Sequence, residues 1–217
     1  GALSSLPQNK ASVEWGPVTG AVPTVLLGES AADAPSDHFA IDSLKSAQEA
    51  TEHLLQLGRR RIAFAGYQPG AHMSPGTLRL AGVRNALESW GLTLPDDLVL
   101  QAPEWTREQG QHIAELIIPR LGEIDALVCA ADVLAVGALK GFNCAGVRVP
   151  DDVAILAWDN SPEGRFTSPA LTTISHDLGG IARFDVRSLA LPPADASLAP
   201  RKPHASHTRI ARGAPSP

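Results

Sequence analysis

Four polar or aromatic side chains follow apolar runs that are predicted to be strands, and together they could bind a small hydroxylated molecule. Arg79, Trp105, Asp132 and Asp159 each come shortly after such a run. An indole stacks on the C–H face of a sugar ring, while an arginine and carboxylates bind hydroxyl groups in charge-assisted hydrogen bonds. No nucleophile is paired with a base, so the set predicts binding without catalysis.

Each of these residues also has a simpler interpretation. Arg79 could be a surface residue, Asp132 could cap the helix that it opens, and Asp159 with Asn160 could belong to a turn. Ser74, in the loop after one of the strands, is a weaker candidate. Two neighbouring carboxylates could also serve as the acid and base of a glycosidase, which is an enzymatic alternative.

The elements that must position these residues alternate between strand and helix. Apolar spacing predicts helices over 43–57, 78–90, 106–121 and 132–144. Short apolar runs predict strands over 23–27, 61–66, 98–100, 126–129, 153–157 and 171–174, and residues 28–41 are predicted to be a polar loop. A strand–helix repeat of about 30 residues is typical of βαβ units. The predicted fold class is therefore α/β with a parallel sheet, in which ligands bind beyond the carboxyl ends of the strands.

Composition excludes several classes of protein. Of the 217 residues, 44% are hydrophobic and 19% are charged, which is enough for a buried core. The net charge of −5 argues against unaided binding to nucleic acid. Two cysteines exclude a disulfide scaffold or a four-cysteine zinc site, and no cofactor motif is present, so we expect no metal and no cofactor. No run approaches the ~20 apolar residues of a membrane helix, and the first residues lack a secretory signal.

Several segments, in order and with matching spacing, resemble the effector-sensing domain of the lactose/galactose-repressor family of transcriptional regulators. Two of them are Cys129–Leu139 (CAADVLAVGAL) and Gly146–Ile155 (GVRVPDDVAI). The others are 42–43, 50–55, 57–64, 79–87 with Gly91 and Leu92, Asp159 with Asn160, 168–169 and 171–174. Each motif is modest alone, but the ordered set is specific and covers residues 22–184.

The resemblance implies a two-lobed fold similar to that of periplasmic sugar-binding proteins, with a small polar effector, expected to be a sugar, between the lobes. The ligand-binding residues that it implies are Arg79, Trp105, Asp159 and His176, with Asp132 and Ser74 as weaker candidates. Such regulators are cytoplasmic and usually homodimeric. They bind operator DNA through an N-terminal helix-turn-helix domain, which the effector controls allosterically and which is absent from this sequence.

The sequence departs from the family pattern in three places. Ala131 stands where the family usually has an asparagine, which removes one amide from the expected site. Residues 1–21 are expected to be a leader or the remnant of an incomplete first lobe, and 22–184 the effector-binding domain. After Phe184 the resemblance ends. We expect residues 185–217 to be an irregular Pro/Arg-rich tail, and we hypothesise that they come from an altered reading frame.

Two functions other than transcription control remain compatible with these patterns. A solute-binding protein for sugar uptake has the same fold, but it requires export. A sugar-processing α/β enzyme would use the paired carboxylates for acid–base chemistry. The effector-sensing domain is the leading hypothesis because it accounts for all the matched segments at once.

Overall fold

The chain folds into two units, each of which contains a sheet of its own. The computed structural model describes residues 2–5, 24–27, 37–70, 74–177, 179–184 and 202–212. The smaller unit comprises Gly1–Asp42, Gly70–Ser74 and His176–His207, and the larger unit comprises Ser43–Pro69, Pro75–Ser175 and Thr208–Pro217. The chain therefore passes between the units several times.

The smaller unit contains a four-stranded sheet in the order β1-β2-β3-β9. Its strands are β1 (Ala2–Ser5), β2 (Thr24–Leu27), β3 (Asp37–Ile41) and β9 (His204–Ala205). All neighbouring strands in this sheet are parallel. Phe39 of β3 is buried, and its ring centroid lies 5.1 Å from that of Phe184 in a tilted aromatic pair.

The larger unit is built on a six-stranded sheet in the order β10-β8-β7-β6-β4-β5. Its strands are β4 (Ile62–Tyr67), β5 (Val99–Gln101), β6 (Ala126–Cys129), β7 (Ala154–Trp158), β8 (Thr172–His176) and β10 (His207–Ile210). From β5 to β8 every neighbouring pair is parallel. Strands β6 and β7 are buried at every residue, as expected for a parallel sheet covered on both faces.

Two pairs of helices cover this sheet. The helices are α1 (Ser43–Gln56), α2 (Pro75–Ser89), α3 (Arg107–Ile117) and α4 (Asp132–Cys144). Helix α1 packs on α2, and α3 packs on α4. The chain moves outward from β4 to β5 and then returns past β4 to β6 and β7. The direction in which successive strands are added therefore reverses between β4 and β6. Because the crossovers between parallel strands are right-handed, the two helix pairs lie on opposite faces of the sheet. This reversal is the topological switch point at which α/β sheets bind ligands.

All four predicted helices and all six predicted strands are confirmed, and all except α4 and β6 have shifted ends. Helix α3 ends at Ile117 and continues only as a 3-10 turn over Ile118–Arg120. The predicted helix continues to Leu121 instead. Pro119 explains the difference, because it has no N–H to donate to the preceding turn.

Four short strands form where the sequence predicts irregular chain. Strand β3 replaces part of the polar loop over 28–41, and that prediction is wrong for 37–41. Strand β1 forms in the segment expected to be a leader or the remnant of an incomplete first lobe, and β9 and β10 form in the segment expected to be an irregular tail. Residues 185–201 of that tail lie outside the described residues. These strands escape prediction because they are short and pair across long separations, as Ala40 does with His204.

Helices α3 and α4 touch through their backbones at two glycines. A Cβ atom on Gly137 would lie 2.0 Å from the carbonyl oxygen of Arg107, and one on Gly110 would lie 2.1 Å from that of Leu134. Both distances are shorter than any van der Waals contact. The two helices can therefore reach this separation only with glycine at both positions.

Replacing Gly137 with alanine should lower the free energy of unfolding by about 1–3 kcal/mol, because the added methyl group overpacks a backbone contact. Urea denaturation of the full chain measures this change. Gly122→Ala is the matched control, since nothing lies within 4 Å of a Cβ atom there. Equal stability of the two variants would show that the helices do not meet at Gly137.

Candidate ligand-binding site

Four of the predicted residues lie in the larger unit, close to the carboxyl ends of its parallel strands. Arg79 lies in the second turn of α2, which follows β4, and Trp105 lies in the loop after β5. Asp132 is the first residue of α4, after β6, and Asp159 directly follows β7. The strand-end rule thus correctly groups residues that are up to 80 positions apart in sequence.

Arg79 is a buried cation, so its interpretation as a surface residue is wrong. The residue is 4% exposed. Its Nε donates to Ser43 Oγ at 3.2 Å, and its Nη1 donates to the carbonyl oxygen of Ala130. The guanidinium carbon lies 5.9 Å from the ring centroid of Trp105 and 5.2 Å from that of Trp158. Contacts at these distances are cation–π interactions, so Arg79 joins the two indoles to the end of β6.

The indole of Trp105 is half-buried and held from one edge. Its Nε1 donates to the carbonyl oxygen of Gly66 at 3.1 Å. A Cβ atom on Gly66 would lie 3.3 Å from that nitrogen and 2.5 Å from the Cβ of Ala130, and the φ of Gly66 is +110°. Glycine is therefore required at the end of β4 for the indole and for β6 to approach this closely.

Asp132 is buried and bonds to groups outside its own helix, so the capping interpretation is wrong. Its exposed fraction is 1%. Oδ1 accepts from Thr173 Oγ1 at 2.7 Å, and Oδ2 accepts from the backbone N–H of Ser161 at 2.7 Å. The N-cap position of α4 is Ala131, whose side chain makes no cap. Asp132 therefore ties α4 to β8 and to the loop after β7.

The loop after β7 holds two non-glycine residues in the left-handed region, Asp159 at φ 109° and Asn160 at φ 50°. Such a conformation costs about 1–3 kcal/mol per residue and is common at functional sites. Hydrogen bonds to β8 hold it: Asp159 N donates to Ile174 O at 3.0 Å, and Asn160 N donates to Thr173 Oγ1 at 3.2 Å. In this conformation the Asp159 side chain is exposed.

The two aspartates differ in what sets their pKa. Burial raises the pKa of Asp132, and hydrogen bonds from Thr173 and Ser161 oppose that rise. The pKa of Asp159 is also raised. The main cause is that protein atoms displace water from its carboxyl group. The positive charge of Arg79 opposes this rise, and the negative charge of Asp132 adds to it. Asp159 is thus an accessible acceptor next to a buried cation.

Ser74 and His176 belong to the smaller unit. Ser74 is 1% exposed, and His176 is the half-buried last residue of β8. Their contact with a ligand stays a prediction. The larger unit therefore brings together Arg79, Trp105 and Asp159 at its strand ends, with Asp132 behind them.

Sequence reasoning missed Trp158 as part of this arrangement. The residue is fully buried, its Nε1 donates to Ser46 Oγ at 3.3 Å, and its ring packs on Arg79. A tryptophan that ends a buried strand looks like an ordinary core residue. Its only sequence signal is its position directly before Asp159.

The arrangement suits the binding of a neutral, polar ligand. It offers the half-buried indole of Trp105 and the exposed carboxylate of Asp159, and the buried guanidinium of Arg79 opposes the charge of that carboxylate. Among the described residues, no group of three His, Cys, Asp or Glu side chains is placed to hold a metal ion. In the same part of the chain, no helix has the length and apolar character that crossing a membrane requires.

Several known proteins that are similar to this chain are regulators of transcription. The family described as "Periplasmic binding protein-like domain" matches residues 51–197. The HTH-type transcriptional repressor PurR of Salmonella arizonae is 33% identical over 156 residues, which are 70% of this chain and 44% of the repressor. A LacI-family transcriptional regulator from Sanguibacter keddieii has a TM-score of 0.80 and 37% identity, covering 88% of this chain and 72% of that one. The transcriptional regulator CelR, in complex with cellobiose, has a TM-score of 0.77 and 26% identity, with 88% and 58% coverage.

The chain belongs to the periplasmic binding protein-like family, and within it to the effector-binding domains of the lactose/galactose-repressor type. The resemblance seen in the sequence and the predicted α/β fold are both confirmed. The chain spans 44% of the length of the curated relatives that it matches.

Replacing Asp132 with asparagine should change how stability depends on pH. Because its pKa is raised on folding, the folded state binds the proton more tightly, and the free energy of unfolding falls as pH rises from about 4 through the raised pKa. Asparagine carries no charge and keeps an acceptor for the Ser161 N–H. The stability of Asp132→Asn relative to the parent should therefore increase between about pH 4 and pH 7, as measured by urea denaturation.

Asp132→Ala is the matched comparison for that experiment. It leaves the Ser161 N–H and the Thr173 hydroxyl without their acceptor, so it should be less stable than the parent at every pH, by about 1–3 kcal/mol. A parallel pH dependence for the parent and Asp132→Asn would contradict the burial of a titrating carboxylate at this position.

Proposed function

We propose that this chain senses a small neutral polar molecule, a sugar in class, on behalf of a transcriptional regulator. Its relatives named above are regulators of transcription, and one of them is recorded with cellobiose. Ligand binding alters operator affinity because the ligand binds one of two conformational states more tightly. A regulator of this kind acts in the cytoplasm, where its DNA is.

The observation that carries the ligand class is the placement of Arg79 between two indoles and beside Asp159. The guanidinium lies 5.9 Å from the Trp105 centroid. Desolvation raises the pKa of Asp159, and the charge of Arg79 opposes that rise. The charges of Arg79 and Asp159 largely compensate each other, which favours an uncharged ligand. Hydroxyl groups donate to a carboxylate, and the C–H face of a sugar packs on an indole.

Catalysis is not part of the proposed function. A glycosidase needs two carboxyl groups that flank the scissile bond. Asp132 is 1% exposed, and protein donors at 2.7 Å engage both of its oxygens. Asp132 is therefore not placed to act as the second carboxylate for Asp159. The location of the ligand between the lobes stays a prediction from the family resemblance.

Trp105→Ala should weaken sugar binding at least tenfold, because it removes the stacking surface. The measurement is a thermal melt of the full chain with cellobiose, glucose, galactose, ribose and adenosine at millimolar concentrations. A ligand present at 100 times its Kd adds about 2.7 kcal/mol to stability. We expect a selective increase in Tm for one sugar and the loss of that increase in Trp105→Ala.

Trp90→Ala is the matched control for this variant. Trp90 is 41% exposed and stacks on Arg60 at 4.9 Å, so it is also a partly exposed indole beside an arginine. Its replacement should leave the ligand-induced shift unchanged. An equal loss in both variants, or a full shift in Trp105→Ala, would contradict the assignment of the site.

The effect on DNA is tested in the full-length protein that carries a helix-turn-helix domain. Gel-shift titration with operator DNA, in the presence and absence of the sugar, gives the coupling between the two sites. A coupling of 5- to 150-fold is typical of allosteric proteins. No change in operator affinity would show that the chain binds the sugar without regulating transcription.

We further propose that a second copy of the chain is a partner, as the resemblance to homodimeric regulators predicts. Phe166 is 88% exposed, the largest exposure among the large apolar side chains in the described part of the chain. It follows the 3-10 turn Glu163–Arg165, where Glu163 pairs with Arg107 of α3. An exposed aromatic flanked by charged groups is typical of the centre of a protein–protein interface.

Phe166→Asp should convert the dimer to a monomer, because it places a charge where an aromatic ring is buried between copies. Light scattering after size-exclusion chromatography measures the mass. Leu57→Asp, at a leucine that is 38% exposed, is the control and should not change the mass. A parent chain that is monomeric at the highest accessible concentration would overturn the proposal.

A further inference from the structure

A second groove lies on the larger unit, between α2 and the edge strand β5. Its volume is about 520 Å³. Small-molecule sites fall in the range of about 300–1,000 Å³. Its polar groups come from Tyr67, Thr77, Arg84, Asn85, Asp96 and Gln101. None of the residues of the Arg79 site lines it.

Two elements bring these side chains to one surface. Thr77, Arg84 and Asn85 lie on one stripe of α2, at spacings of seven and eight residues that return to the same face of a helix. Tyr67 and Gln101 end the neighbouring strands β4 and β5 and are register partners in that parallel pair. The helix stripe and the strand ends form the two walls of the groove.

Three polar groups on these walls, the amides of Asn85 and Gln101 and the hydroxyl of Tyr67, are available to a ligand. Within the described residues, no protein group hydrogen-bonds the exposed side-chain amides of Asn85 and Gln101 or the hydroxyl of Tyr67. Arg84 and Asp96 pair with each other at 2.7 Å, so the groove carries no net charge from this pair. It therefore offers a phenol ring, two unpaired amides and a neutralised ion pair.

We propose that this groove binds a neutral saccharide unit at a site separate from the Arg79 site. Planar amides donate and accept at once, as adjacent sugar hydroxyls require, and the ring of Tyr67 provides a stacking surface for C–H groups. The compensated charges of Arg84 and Asp96 disfavour an ionic ligand. The exposed amides disfavour a purely apolar one, because their burial would leave them without hydrogen bonds.

Tyr67 permits a direct test because it is the only tyrosine of the chain. The full chain is labelled with 3-fluorotyrosine, so its ¹⁹F spectrum contains one resonance, which lies in the groove. Titration with cellobiose should shift this resonance in a saturable manner. Gln101→Ala and Asn85→Ala should each raise the apparent Kd at least fivefold. Gln56→Ala, at an exposed glutamine that ends α1, should leave it unchanged.

Several outcomes would overturn the proposal. These are no shift with cellobiose at 50 mM, equal shifts in the parent and in Gln101→Ala, or a response to phosphate or leucinamide instead of the sugar. Gln101 and Asn85 are exposed, so their alanine variants are expected to fold. The groove and the Arg79 site are tested independently. If the Trp105-dependent change in Tm is not observed, the ¹⁹F titration still tests the groove. If the ¹⁹F resonance does not shift, the change in Tm still tests the Arg79 site.

Discussion

The burial of the Arg79 guanidinium is the constraint on which the rest of the site depends. A charge inside a protein is costly unless hydrogen bonds and opposite charge compensate it. Here the compensation comes from the Ala130 carbonyl, the Ser43 hydroxyl, two indoles and the nearby Asp159. These groups belong to different elements, so the packing of α1, α2 and the ends of β6 and β7 must be correct at the same time. The switch point of the sheet is where those elements meet.

Asp132 organises the other half of the site through a chain of hydrogen bonds. Asn160 N donates to Thr173 Oγ1, and Thr173 Oγ1 donates in turn to Asp132. The strained backbone at Asp159 and Asn160 is thereby tied to a buried carboxylate and to β8. Asp132 thus acts as a positioning residue, and the residue that it positions, Asp159, is the exposed acid. Two aspartates that look equivalent in sequence thus lie in different surroundings, because Asp132 faces the core and Asp159 is exposed.

Sequence analysis predicts the elements that have a clear period and misses those defined only by their partners. Helix α4 and strand β6 are predicted to the residue, because their apolar spacing is unbroken. Strand β3 is missed because its partners are distant in sequence. The strand-end rule finds Arg79, Trp105 and Asp159, but it cannot separate a helix cap from the buried role of Asp132. The partners that decide this role, Ser161 and Thr173, lie 29 and 41 residues away.

The two edge strands of the six-stranded sheet also decide how the chain behaves at high concentration. An unpaired edge can act as a template for a strand of another molecule, which is a common route to aggregation. Strand β5 has three residues, and β10 has four, with Thr208 and Arg209 exposed at its centre. An incoming strand would gain only a few hydrogen bonds at either edge and would meet a charge at one of them. The sheet is thereby protected at its borders, and β-strand stacking of neighbouring copies is disfavoured.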